Sequence, residues 1–347
     1  MTRSTFRVGY LERPPHPAFL EAMADAPQCE LVCLRIDDGE AEVLRQLSEC
    51  DGYYVRASRD ELPEAFHVTP GFLARMTRLK VCATYGAGYD TVDVQACTNA
   101  GVAICNQAGG NAEAVAEHTL AFILGLLKRV PECSAAIAGG TAADRSALIG
   151  RELHGRTVGL IGLGHIGTRV ATYLRAFSCE VLAFDPYLDA ATMTERGAEK
   201  VALDELLARS DILSLHCPLT AETRGMIGAA ELAKLPEGAI LVTTARGGIH
   251  DEDAVLAALQ SGRLAGAGLD VWQKEPPEAD NPLYLHPSVI STNHAAGVTN
   301  ESRTRVARMA AEVFAEAGAG RVPPRMLNPE IAQEVARRLT ETTEPAR

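Results

Sequence analysis

Short apolar runs recur along the chain, each bounded by charged or glycine-rich segments. Residues 52–55 (Gly-Tyr-Tyr-Val), 80–83 (Lys-Val-Cys-Ala) and 102–105 (Val-Ala-Ile-Cys) read as buried strands of a first region that begins near Phe6. A long helix is expected over 112–129, rich in alanine, leucine and glutamate and followed by Pro131. Residues 135–143 read as an alanine- and glycine-rich connection. A second region repeats the rhythm more sharply, with strands at 157–161, 180–184, 212–215, 239–242, 266–269 and 289–292 and a helix over 166–177. A last helix is expected over 302–317. The tail beyond Gly320 is proline-rich and then charged, with its final residues, 340–347, frayed. Strands alternating with helices imply parallel sheets covered on both faces, an α/β fold.

The strand at 157–161 runs into Gly162-Leu163-Gly164-His165-Ile166-Gly167. A lone glycine run of this spacing is weak evidence. Here a strand leads in, a helix leads out, and the next strand ends on an acid, Asp185. In a dinucleotide site Gly162 permits the tight turn, Gly164 lets the backbone approach the pyrophosphate, and Gly167 lets helix and strand pack closely. The helix N-terminus then directs N–H groups and partial positive charge at the phosphates. Asp185 suits the ribose hydroxyls and repels a 2′-phosphate, which favours NAD over NADP.

Three later segments carry candidate chemistry. Arg246, Glu275 and His294 each follow the C-terminal end of a predicted strand, the side that faces the ligand crevice of an open parallel sheet. Reduction of a 2-keto acid needs a cation for the carboxylate, a proton donor for the carbonyl oxygen, and a means of keeping that donor charged. The planar fork of Arg246 suits the first need. His294 suits the second, because imidazole titrates near neutrality. An adjacent carboxylate, Glu275, suits the third. Singly, each has a plainer reading: a surface cation, a turn residue, a core histidine.

Composition narrows the field. The chain has 347 residues, which favours two domains. Its formal net charge of −12, with no basic cluster, argues against a nucleic-acid partner. No run is long enough to span a bilayer and the N-terminus lacks a signal-peptide core, so no membrane association is expected. The nine cysteines form no Cys-x-x-Cys pair, so a metal site is not expected. They read as small reduced core residues of a cytoplasmic protein.

With these segments in view, the chain resembles the D-isomer-specific 2-hydroxyacid dehydrogenases, including the 3-phosphoglycerate dehydrogenases and glyoxylate/hydroxypyruvate reductases. The glycine turn, Thr244-Ala245-Arg246-Gly247-Gly248, Gly268-Leu269-Asp270-Val271-Trp272 with Glu275-Pro276, and His294-Ala295-Ala296-Gly297 look like that family's successive signatures. The resemblance implies two Rossmann-like doubly wound domains, with the cofactor domain inserted into a flavodoxin-like substrate domain. The expected division is 1–107 with 299–347, and 108–298. It also implies a homodimer and the catalytic trio Arg246, Glu275 and His294. Gly162, Gly164, His165, Ile166, Gly167, Asp185, Thr223, Thr244, Ala245, Asp270 and Gly297 correspond to NAD contacts, and Asp270 is expected near the nicotinamide carboxamide. Val55, Arg56, Ala57, Gly86 and Ala87 correspond to loops that hold the carboxylate of a small 2-keto or 2-hydroxy acid.

Departures stand at Thr243 (usually asparagine), His250 (usually apolar) and Asn293 (usually proline). Ala87, where phosphite dehydrogenases carry lysine, disfavours phosphite. Glu275, where formate dehydrogenases pair the histidine with glutamine, disfavours formate. Two competing readings share the fold: an NAD-sensing corepressor-like binding protein, which can keep the trio, and a methyltransferase, which has no need of it.

Overall fold

The structure, a computed structural model, describes residues 5–14, 16–140 and 145–341. The chain divides into two compact units, residues 1–111 with 299–347 and residues 112–298. The sequence reading had put the first break after residue 107.

The first unit is built on strands β1 (Phe6–Leu11), β2 (Cys29–Leu34), β3 (Gly52–Val55), β4 (Val81–Thr84) and β5 (Ala103–Cys105). They form one parallel sheet in the order β2-β1-β3-β4-β5, the flavodoxin-like order. β3, β4 and β5 are buried along their whole length, which explains their unbroken apolar runs. The C-terminal helix Asn300–Gly318 belongs to this core: Phe314 meets Phe19 and Tyr54 edge-on at 6.2 and 5.9 Å.

The second unit contains β6 (Thr157–Ile161), β7 (Glu180–Phe184), β8 (Glu199–Lys200), β9 (Ile212–Leu215), β10 (Ala239–Thr243), β11 (Leu264–Leu269) and β12 (Val289–Ser291). Their order is β12-β11-β10-β9-β6-β7-β8, all parallel. This is the Rossmann arrangement, and the order reverses between β6 and β9. Helix Ala112–Lys128 packs on this sheet. Gly268 of β11 explains its close approach, because a Cβ there would lie 2.8 Å from the Phe122 ring.

The structure corrects the sequence reading in four places. β1, β2 and the two-residue β8 went unnamed. Polar residues break the apolar signal at that edge, where Arg7 of β1 pairs with Glu30 of β2 at 3.5 Å. The expected loop from residue 135 is instead the end of a helix, Val130–Ala138. Pro131 there opens a helix rather than closing one, after Arg129 breaks the preceding helix with φ +53°. Residues 141–144 of that expected loop lie outside the described residues. The tail folds back as an amphipathic helix, Ala332–Thr340, burying Val335 and Leu339. Of the residues expected to fray, 340–347, Thr340 ends this helix, and 342–347 lie outside the described residues. Among the described residues no helix is long and apolar enough to cross a membrane.

Candidate active site

The glycine turn leaves β6 at the point where the strand order of the second sheet reverses. Gly162 has φ +90°, and a Cβ on it would lie 2.8 Å from the Cys217 amide nitrogen just beyond β9. A Cβ on Gly167 would lie 2.3 Å from the Gly162 carbonyl oxygen. Internal packing therefore accounts for both glycines. It does not account for Gly164, whose Cβ would meet nothing within 4 Å. A glycine at that point is required only by a group that approaches the backbone from outside, as a pyrophosphate does. Helix His165–Ala176 starts immediately afterwards and directs its first N–H groups to the same place. Both Asp185 carboxylate oxygens accept backbone hydrogen bonds, Oδ2 from Leu163 N and Oδ1 from Tyr187 N, each at 3.1 Å. The acid thus fixes the turn. Arg196, which the sequence did not mark, donates to the Leu163 carbonyl at 2.7 Å.

The trio stands at the C-terminal ends of β10, β11 and β12. His294 Nδ1 donates to Glu275 Oε2 at 2.8 Å, and Glu275 Oε1 accepts from Trp272 N at 3.0 Å. With Nδ1 engaged, Nε2 is the nitrogen left for proton exchange. The His294 imidazole is held above its usual pKa, chiefly by the hydrogen bond to Glu275. Burial and the positive charge of Arg246 oppose that rise without reversing it. Burial pushes the Glu275 carboxyl upward, but its bond to His294, the charge of His294, the Trp272 amide and Arg246 together bring it below its usual value. The Arg246 guanidinium donates to the Ala245 carbonyl at 2.7 Å.

Asp270 organises the turn beneath them. It is fully buried at the end of β11. Its Oδ1 accepts from Thr292 Oγ1 and Ala295 N, and its Oδ2 accepts from Ala296 N at 3.0 Å. Its own carbonyl accepts from His294 N at 2.7 Å. His294 is thereby fixed in the left-handed region, φ +56°. Thr292 has one proton and gives it to the acceptor-only carboxylate, so His118 Nε2, 3.1 Å away, donates to Thr292. Nothing in the local sequence links His118, Thr292 and Asp270. Gly247 is required for another reason: a Cβ there would fall 1.7 Å from the Trp272 carbonyl oxygen.

Other expected site residues are accounted for internally. Thr223 Oγ1 donates to the Pro218 carbonyl at 2.7 Å, and Thr244 Oγ1 lies 3.1 Å from Thr119 Oγ1. Ala245 is buried, and Ile166 and Gly297 are half-buried. In the first unit, Val55 ends β3. The Arg56 carbonyl accepts from Thr91 Oγ1, and Arg56 Nη1 donates to the Glu61 carbonyl at 3.3 Å. Ala57 O accepts from Asp90 N at 3.1 Å. The Gly86 carbonyl accepts from Thr84 Oγ1 and Gln107 N, and the Ala87 carbonyl from Asn106 Nδ2. Of the departures, Asn293 is exposed. Thr243 and His250 are fully buried, and neither the Thr243 hydroxyl nor either His250 ring nitrogen has a partner among the described residues. Burial pushes His250 down to about 4, so it is neutral near pH 7.

The model of the NAD binding domain of D-isomer specific 2-hydroxyacid dehydrogenases matches residues 120–296. A glyoxylate reductase of Aeropyrum pernix is 39% identical over 267 residues, 75% of this chain and 80% of the relative. The chain belongs to the D-isomer-specific 2-hydroxyacid dehydrogenase family. Its second unit is that family's NAD-binding domain. A D-3-phosphoglycerate dehydrogenase of Bacillus subtilis is 37% identical over 293 residues, 84% of this chain and 53% of the relative. The chain spans about half the length of the phosphoglycerate dehydrogenases it matches. A solved D-lactate dehydrogenase from Aquifex aeolicus, complexed with NAD and lactic acid, aligns over 90% of this chain and 96% of its own, at 31% identity and a TM-score of 0.77.

The packing contrast between the glycines of this dehydrogenase-family turn gives a test. Gly164→Ala keeps the wild-type fold and melting temperature but weakens NADH binding about tenfold or more. Gly167→Ala lowers stability by about 1–3 kcal/mol through overpacking. Calorimetry and fluorescence titration with NADH check both. Undiminished NADH affinity in Gly164→Ala contradicts the assignment.

Proposed function

We propose that this protein is an NAD-dependent oxidoreductase interconverting a 2-keto acid and its D-2-hydroxy acid. The observation that carries the proposal is the His294–Glu275 ion pair, with Arg246 close enough to influence both, on the same strand ends as the dinucleotide turn. A methyltransferase has no need of this trio; a corepressor-like sensor can keep it, so turnover is what separates the sensor from the enzyme.

On this reading, Gly162, Gly164, His165, Ile166, Gly167 and Asp185 hold the cofactor, with Thr223, Thr244, Ala245, Asp270 and Gly297 around it. Bound NADH supplies the hydride. Arg246 pairs with the substrate carboxylate and polarises the adjacent carbonyl. His294 gives the Nε2 proton to the carbonyl oxygen as it becomes a hydroxyl, and takes it back in the reverse direction. Glu275 stabilises the imidazolium between these events. Val55, Arg56, Ala57, Gly86 and Ala87 serve as substrate-carboxylate contacts. Their carbonyl partners inside the first unit support this role by fixing the loops. The names of the relatives point to small substrates such as glyoxylate, pyruvate (the keto acid of lactate) and the keto acid of 3-phosphoglycerate.

We also infer a homodimer formed through the second unit. Val130 and Ile137 lie seven residues apart on one face of helix Val130–Ala138 and are 56% and 81% exposed; nearby Ile149 is 73% exposed. The nine unpaired cysteines support a cytoplasmic setting.

NADH consumption with a panel of those keto acids is the primary test. At least one is reduced, and His294→Ala lowers kcat about 100-fold or more while NADH affinity is retained. Tight NADH binding without oxidation by any keto acid overturns the enzyme reading in favour of a sensor. Light scattering is expected to give twice the chain mass, and Ile137→Glu to give the monomer. A monomeric wild type contradicts the proposed interface.

A further inference from the structure

The segment carrying Glu275 runs between two buried anchors, Trp272 and Leu283. Between them no residue is buried. An open cavity of about 370 Å³ lies between part of it and the start of helix Glu252–Gln260. Glu275 itself does not line this gap: its carboxylate is held by Trp272 N and His294, while the flanking Gln273 and Asn281 are tied across the gap by hydrogen bonds.

Those bonds converge on one side chain. Glu252, the first residue of the helix, accepts from Gln273 N through Oε1 at 2.6 Å and from Asn281 Nδ2 through Oε2 at 3.2 Å. It thus grips the segment on both sides of Glu275. The Gln273 amide is adjacent to the Trp272 amide that holds Glu275 Oε1. On its own helix Asp251 caps the N-terminus, and Asn281 Oδ1 in turn accepts from Leu283 N at the far anchor. The carboxylate is a charged acceptor at both contacts, and such bonds are stronger than neutral ones. The other charged groups lining the gap are Asp253, Lys274, Glu278 and Asp280. Lys274 is engaged by Glu278 at 2.5 Å.

We propose that Glu252 is a positioning residue for the acid–base pair: it clamps the 273–281 segment so that Glu275 stays on His294. The inference rests on the proposed roles of Glu275 and His294, but the contact itself can be tested without turnover. The groups facing His294 are Glu275 from this segment, Asp270 from the end of β11 and Arg246 from the loop after β10. Among these, only Glu275 depends on the clamp.

The test is an NMR titration of the His294 imidazole in the full chain without cofactor, assigned by comparison with His294→Gln. Wild type titrates above the ordinary histidine value. Glu252→Ala brings that midpoint down by about one pH unit as Glu275 drifts. Glu252→Gln, which keeps one acceptor for Gln273 N but gives up the one that Asn281 Nδ2 uses, shifts it downward by less than Glu252→Ala. Asn281→Ala, which leaves the helix untouched, gives a smaller downward shift and keeps the question open to measurement if Glu252→Ala does not fold. In turnover, Glu252→Ala lowers kcat about tenfold or more, with little change in KM for the keto acid. A folded Glu252→Ala, or a folded Asn281→Ala beside an unfolded Glu252→Ala, whose His294 midpoint matches wild type overturns the inference. If wild type reduces no keto acid, the functional reading fails, while the NMR shift still decides whether the clamp exists.

Discussion

The site depends on the buried carboxylate of Asp270. Its two oxygens collect the Thr292 hydroxyl and the amides of Ala295 and Ala296, while its carbonyl takes the His294 amide. A non-glycine residue in the left-handed region costs roughly 1–2 kcal/mol. Hydrogen bonds to an ionised group contribute about 1.5–3 kcal/mol each, so the three at the carboxylate offset that cost and make the strained turn at His294 the stable one. The expected role of Asp270 at the nicotinamide is thus accompanied by a structural one. It sets where the imidazole stands, and Glu275 then sets its charge.

That arrangement is supported from three sides within the second unit. Gly247 lets the Arg246 loop run against the Trp272 carbonyl, a contact that any Cβ would forbid. The Trp272 indole donates to the Thr292 carbonyl at 3.0 Å, joining the Glu275 segment to the strand end that carries His294. Tyr284 stands edge-on to the same indole at 4.5 Å. Glu275, His294 and Arg246 are therefore braced through their backbones, the kind of support that holds a constellation of side chains in one geometry.

Local chemistry was legible in the sequence. Gly162, Gly164 and Gly167 mark the turn by their spacing, although only Gly167 answers a local contact: Gly162 is required by distant Cys217, and Gly164 by nothing within the chain. Arg246, Glu275 and His294 stand out because each follows an apolar run that reads as a strand, whereas Asp270 was marked by the family resemblance. What was not legible lies in contacts between distant segments. His118 and Thr292 are 174 positions apart, and Glu252 meets Asn281 across 29. Thr223 and Thr244 matched cofactor positions by motif, yet their hydroxyls are bonded to Pro218 and paired with Thr119. Buried Thr243 and His250 have polar atoms without partners among the described residues, and no local pattern announces it. Strands β1 and β2 were hidden by charges that turn out to pair across them, and helix Val130–Ala138 by a proline read as a stop.

The central claim is that Glu275 holds His294 in its charged form as the proton donor. The folded pKa of His294 is raised by that contact, so keto-acid reduction persists at low pH and is lost as pH rises through the raised value. Measuring kcat for reduction against pH in wild type and Glu275→Gln tests this most directly. The account predicts that the alkaline fall begins at distinctly lower pH in the variant, because burial and Arg246 are then opposed only by the lesser influence of Asp270. An alkaline limb at the same pH in both proteins would contradict it.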